Sequence, residues 1–129
     1  MGKITEKEYS ACYEQAKLVY EKKKTKQDVV NFLSKKDGLG MKKSSATYYV
    51  NAYLNMRHGE KYTKTINNDA TVYYLEHINS DNGKVALKIA LESLQKHLDY
   101  YSKQGKGALK LLQVLHDHFV DEIVNKKQD

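Results

Sequence analysis

Apolar residues recur along this chain every three to four positions and nowhere alternate over a sustained stretch. That pattern predicts helices and no strands. Tyr9, Cys12, Tyr13, Ala16, Val19 and Tyr20 form the first stripe. The preceding Thr5-Glu6-Lys7-Glu8 reads as a capping box, the threonine hydroxyl accepting from the Glu8 amide and the carboxylate reaching back. Thr25-Lys26-Gln27-Asp28 repeats the signal and opens a short helix with Val29, Val30, Phe32 and Leu33 on its inward face. Gly38 and Gly40, in "KKDGLG", can close that helix or shape the turn after it.

Ser44 or Ser45 is expected to cap a third helix, facing inward through Ala46, Tyr49, Val50, Tyr53, Leu54 and Met56. After the loop "RHGEKYTKTINN", Asn68 is the expected cap of a fourth helix carrying Ala70, Tyr73, Tyr74, Leu75 and Ile78. A fifth helix should run from about Lys84 to Ser102, apolar through Val85, Ala86, Ile89, Ala90, Leu94, His97, Leu98 and Tyr101. Ala108 to Val124 is expected to form a sixth, with Leu111, Leu112, Leu115, Phe119 and Ile123 as its stripe, before a frayed tail. The fold class is therefore all-α, one domain over 1–129. Residues 84–124 would be an antiparallel hairpin bracing the remainder.

Composition adds three constraints. With 129 residues there is room for one core and little more. Eleven tyrosines, with neither tryptophan nor proline, imply half-buried helices whose tyrosine hydroxyls reach water or a partner. Cys12 is the only cysteine, so it forms no internal disulfide and builds no zinc site alone. No apolar run approaches a membrane span and "MGKITEKEYS" lacks a signal-peptide core, which points to the cytoplasm and away from a membrane.

Charge is unevenly distributed. Residues 22–64 hold ten lysines and Arg57 against Asp28, Asp37 and Glu60, a local net charge of +8 in a chain of net charge +6. The remaining two stretches, 1–21 and 65–129, each carry one excess negative charge. Concentration in one unit is the footprint of a polyanion binder. Within it, a capped helix, a glycine turn and a second helix resemble helix–turn–helix spacing, in which the second helix enters the major groove of double-stranded DNA.

The side of that helix turned away from the core holds Ser45, Thr47, Tyr48, Asn51, Asn55 and His58. An asparagine such as Asn51 can bond adenine at two points, and hydroxyls can bond bases or phosphates. Lys35, Lys36, Lys42, Lys43 and Ser44 surround the turn as candidate phosphate contacts. Arg57, His58, Lys61 and Lys64 stand at the far end, with Thr63 and Thr65 between and beyond them. Phosphate contacts would supply affinity, and Asn51 with its neighbours any sequence preference.

Beyond these residues, "SSATYYVNAYLNMRHGEKYTKTINNDATVYYLEHI" followed by "NGKVALKIALESLQKHLDYY" resembles the helical region that precedes the HNH nuclease domain in many bacterial restriction-type endonucleases. The resemblance covers about residues 25–103 and is carried by the serine pair, Met56 with Gly59, Tyr62, Thr65, Asn67, Tyr73–Tyr74, and His97 with Tyr100–Tyr101. It implies a DNA-recognition module that would steer a nuclease domain lying outside this chain, as a piece of a larger enzyme or a standalone relative.

The catalytic part of such an enzyme is not expected here. An HNH site needs a ββα unit, and this chain has one cysteine and no strand pattern. "HDH" at 116–118 sits in a helical pattern, where alternate residues point about 200° apart, so it makes a poor chelate. "GLG" lacks the lysine and preceding strand of a phosphate loop, and Glu76 and His77 diverge on one helix. No catalytic residue, metal or cofactor is expected. The rival class is a protein-interaction bundle, such as a phage or anti-restriction regulatory protein, with exposed tyrosines binding a partner or a second copy in a homodimer.

Overall fold

The computed structural model describes residues 4–104 and 109–126, and among them there are six helices and no strand. They are α1 (Glu6–Tyr20), α2 (Lys26–Ser34), α3 (Lys43–His58), α4 (Asn68–Asn82), α5 (Lys84–Lys103) and α6 (Lys110–Lys126). Both capping boxes form as their sequences require. Thr5 and Glu8 bond reciprocally at α1, and Thr25 and Asp28 do so at α2.

Helix α3 lies at the centre, with α1, α2 and α5 packed around it, while α5 also carries α4 and α6. The core joining α1, α3 and α4 is aromatic. Tyr13, Tyr53 and Tyr74 are fully buried. Tyr13 meets Tyr53 edge-on with ring centroids 5.0 Å apart, and Tyr53 meets Tyr74 at 6.1 Å. Such edge contacts add to area burial. The hydroxyls are provided for: Tyr13 donates to Asp81 (2.8 Å), Tyr74 to the Tyr49 carbonyl (3.0 Å), and Tyr53 accepts from Arg57 (2.9 Å). The Tyr13 hydrogen bond, with Lys17 at 3.1 Å, holds the Asp81 carboxyl below its ordinary pKa. Cys12 is buried 3.6 Å from the Met41 sulfur, and burial pushes its thiol pKa up to about 12.

Several expected positions are corrected. Neither Ser44 nor Ser45 caps α3; the N-cap is Lys42, with no side-chain cap bond. The start is set by tertiary anchoring, since Met41 is buried and its amide bonds the Leu33 carbonyl. At α4 the cap is Asn67, not Asn68, and its amide also donates to the Ile4 carbonyl at the head of α1. Phe32, Val85 and Leu111 are exposed instead of inward, at 49%, 74% and 56%. Each lies beyond the arc that a neighbouring helix covers. Helix α6 runs Lys110–Lys126, and residues 127–129 of the expected frayed tail lie outside the described residues. So does Ala108, the expected start of that helix.

The C-terminal pair α5–α6 is an antiparallel hairpin. Gln95 and Gln113 exchange hydrogen bonds, while Leu91 at the earlier part of α5 shares a cavity wall with Ile123. Among the described residues it supports the basic half through α5, since α6 packs on α4 and α5. The helix–turn–helix expectation meets a difference of length. Lys35–Lys42 joins α2 to α3 with eight residues, where that motif uses about three or four.

Candidate nucleic-acid interface

One stripe of α3 escapes its neighbours. Ser44, Thr47, Tyr48, Asn51 and Asn55 follow each other at helical spacing, Ser44 and Tyr48 exposed and the others half-buried. Asn51 is central. On one side it faces the start of α2, where Lys26, Gln27, Val30 and Thr47 enclose a hollow of about 190 Å³. On the other it faces residues 61–64, across a cavity of about 110 Å³ shared with Tyr48, Asn55 and Tyr62. Thr47 donates its hydroxyl to the Lys43 carbonyl (2.8 Å), so that donor is used within the helix. The Asn51 and Asn55 amides make no hydrogen bond with other described residues.

The loop after α3 is held in place by α5. Gly59 ends the helix in the left-handed conformation (φ 69°), and a Cβ there would lie 3.1 Å from the Ile89 methyl. Both demands select glycine. Lys96 then donates to the Gly59 carbonyl (2.8 Å) and Ser93 to that of Glu60. The fully buried His97 bonds the Tyr62 carbonyl through Nδ1 (2.6 Å) and Thr65 Oγ1 through Nε2 (2.8 Å). A carbonyl only accepts, so Nδ1 carries the proton and Nε2 accepts from the threonine. Burial holds the imidazole below its ordinary pKa of 6.5, against the Tyr62 hydrogen bond that pulls it up.

Two lysines on this loop lean on aromatic rings. Lys64 lies 5.7 Å from the Tyr48 centroid, and Lys61 lies 4.6 Å from that of Tyr100 on α5. From Lys61 an open depression of about 540 Å³ continues to Lys96 and Lys103, with Glu60 and Asp99 also along it.

The candidates from the sequence thus separate into groups. Thr47, Tyr48, Asn51, Asn55, Lys61 and Lys64 come together around one cleft. Lys42, Lys43 and Ser44 are exposed at the head of α3, with Lys35 and Lys36 exposed on the connection that leads to it, while Ser45 is half-buried. Arg57 leaves the group. Nine residues from Tyr48, it lies on the opposite side of α3, with its guanidinium 4.1 Å from the Tyr20 centroid and bonded to Tyr53. His58 is exposed at the end of α3 and also packs on Tyr20, centroids 5.3 Å apart. Thr65 is tied to His97.

Tertiary structure adds residues that the motif reading omits: Lys26, Gln27, Tyr62, Lys96 and Lys103. Of these, Lys26 carries a signal inside the basic block, one turn before the inward Val30, and Tyr62 is among the residues that carry the resemblance. In α6, His116 Nδ1 approaches Asp117 (2.9 Å) and His118 Nε2 approaches Glu122 (2.8 Å), so the two imidazoles have separate partners. Among the described residues no three His, Cys, Asp or Glu side chains gather as a metal site, and no helix is long and apolar enough to cross a membrane.

No protein-family model, no curated protein and no solved structure matches the chain.

Proposed function

We propose that this protein binds double-stranded DNA through the cleft formed by α3, the start of α2 and residues 60–64. The observation that carries the reading is the setting of Asn51: a carboxamide stripe on one helix, with Lys26 along one edge and Lys61 and Lys64 along the other. Amides of this kind suit base edges, and lysines on both flanks suit the two backbones that border a groove. The exposed Lys42 and Lys43, beside a helix start without a side-chain cap, add a further place for a phosphate. Loop anchoring by Ser93, Lys96 and His97 lowers the ordering cost of binding. Arg57 takes no part, because its charge is committed to Tyr20 and Tyr53. With the resemblance to regions preceding HNH nucleases, the module would direct a nuclease that it does not itself contain.

A competition assay with a randomised duplex pool at two salt concentrations tests this. Six phosphate contacts would lower affinity by about a thousandfold between roughly 50 and 200 mM salt. A change under about threefold would remove the reading.

The rival, a protein-interaction bundle, finds its support elsewhere. The tyrosines are not its surface, since only Tyr48 among the eleven is exposed. Instead, α5 and α6 border an apolar hollow of about 340 Å³ lined by Leu91, Val120, Ile123 and Val124, with Leu111 and Val114 exposed on α6. Binding there would change little with salt.

A further inference from the structure

Among the described residues two buried side-chain polar atoms have no partner, Gln15 Oε1 on α1 and the Tyr62 hydroxyl, and the second belongs to the cleft. Buried tyrosine hydroxyls elsewhere are paired: Tyr13 with Asp81, Tyr53 with Arg57, Tyr74 with the Tyr49 carbonyl, and Tyr49 with the Asn67 amide at 3.0 Å. Tyr62 is 3% exposed, and its hydroxyl has no partner among the described residues. Its ring is fixed by stacking on His97, centroids 4.3 Å apart and planes within 11°. An unpaired buried hydroxyl is destabilising. The same residue forms part of the 110 Å³ cavity wall.

The remaining wall is chemically specific. Asn51 and Asn55 are one helical turn apart, so both amides face one side, and each offers a donor and an acceptor. Tyr48 presents ring surface at the rim, and the exposed Lys61 and Lys64 border the opening. Size narrows the choice of occupant. An enclosed cavity of about 150 Å³ admits benzene. At about 110 Å³ this cavity is smaller than that, so a single six-membered ring would occupy it together with part of the open rim, and a two-ring purine would project further.

We propose that this cavity holds a single unstacked pyrimidine base of the bound DNA, its polar edge bonded by Asn51, Asn55 and Tyr62, its flanking phosphates on Lys61 and Lys64. The proposal rests on the DNA-binding reading above and makes it more specific. Removing a base from the stack is cheapest where it is already unpaired. Preference should therefore appear most clearly on a bulged site.

Three duplexes differing only at one central position supply the test: fully paired, with a bulged pyrimidine, and with a bulged purine. Affinities of the full chain are measured by fluorescence anisotropy at fixed salt. The bulged pyrimidine should bind about tenfold tighter than the paired duplex, the bulged purine no tighter. In Asn51→Ala and in Tyr62→Phe the ratio of pyrimidine bulge to paired duplex should fall to about one, while Tyr62→Phe melts no lower than the parent. Equal affinity for all three duplexes, or a ratio unchanged in both variants, overturns the pocket and leaves general duplex binding standing. No binding to any duplex overturns both.

Discussion

Two regions of this molecule use tyrosine in opposite ways. Where α1, α3 and α4 meet, rings pack edge to face and each of the three central hydroxyls finds a carboxylate, a carbonyl or a guanidinium. At the cleft, Tyr62 is equally enclosed and its hydroxyl is unpaired among the described residues, beside two carboxamides that bond none of them. The first arrangement pairs its three central hydroxyls and makes a core. The second sets two carboxamides and one enclosed, unpaired hydroxyl along a cavity edged by lysines, which suits a partner from outside.

The largest way to break this contrast is through the core. Tyr74→Ala removes a fully buried ring and should cost about 3–5 kcal/mol in chemical denaturation. Next comes the anchor of the cleft. His97→Leu leaves the Tyr62 carbonyl and the Thr65 hydroxyl without their partner, a loss of about 1–3 kcal/mol, and should weaken duplex binding by loosening residues 59–65. The same histidine gives a pH signature. Its folded pKa is depressed below 6.5, so the unfolded chain takes the proton first. Stability should be complete above that value and decline as pH falls through it, and melting curves of His97→Leu should lose that part of the decline.

Phenylalanine substitutions sharpen the comparison directly, because their signs should differ. Tyr74→Phe abandons a hydrogen bond to the Tyr49 carbonyl and should lower stability by about 1 kcal/mol. Tyr62→Phe removes a buried hydroxyl with no partner and should raise stability, by about 1 kcal/mol. Denaturant midpoints of the two variants moving the same way would dissolve the distinction between the regions. The smallest effect on binding concerns Arg57→Ala, which gives up its stacking on Tyr20 and leaves the buried Tyr53 hydroxyl without its donor, at about 1–3 kcal/mol of stability. Duplex affinity should stay nearly unchanged, in contrast to Lys64→Ala, which should reduce the salt slope by about 0.9.

Much of this was written in short-range chemistry. The all-α class, the number of helices and both capping boxes follow from spacing and from side chains that reach their own backbone three residues away. The gathering of positive charge in residues 22–64 and the outward side of α3 were likewise readable, since Tyr48, Asn51 and Asn55 occupy the stripe their periodicity implies. Periodicity names a face, however, and not the width of the arc that neighbours cover. That is why Phe32, Val85 and Leu111 lie outside the core while Ala52, Thr71 and Ser93 lie within it.

What only tertiary structure decided is where long side chains and loops come to rest. Arg57 belongs by sequence to the basic unit and stands opposite Tyr48 by helix geometry, but only packing seats its guanidinium on the Tyr20 ring from α1. Lys61 and Lys64 border Asn51 because Ser93, Lys96 and His97, more than thirty residues further along, hold the loop by its carbonyls. The unpaired hydroxyl of Tyr62 arises from the same clamp. Local rules act over one helical turn; a cleft depends on contacts between residues that only the packed fold brings within hydrogen-bond reach.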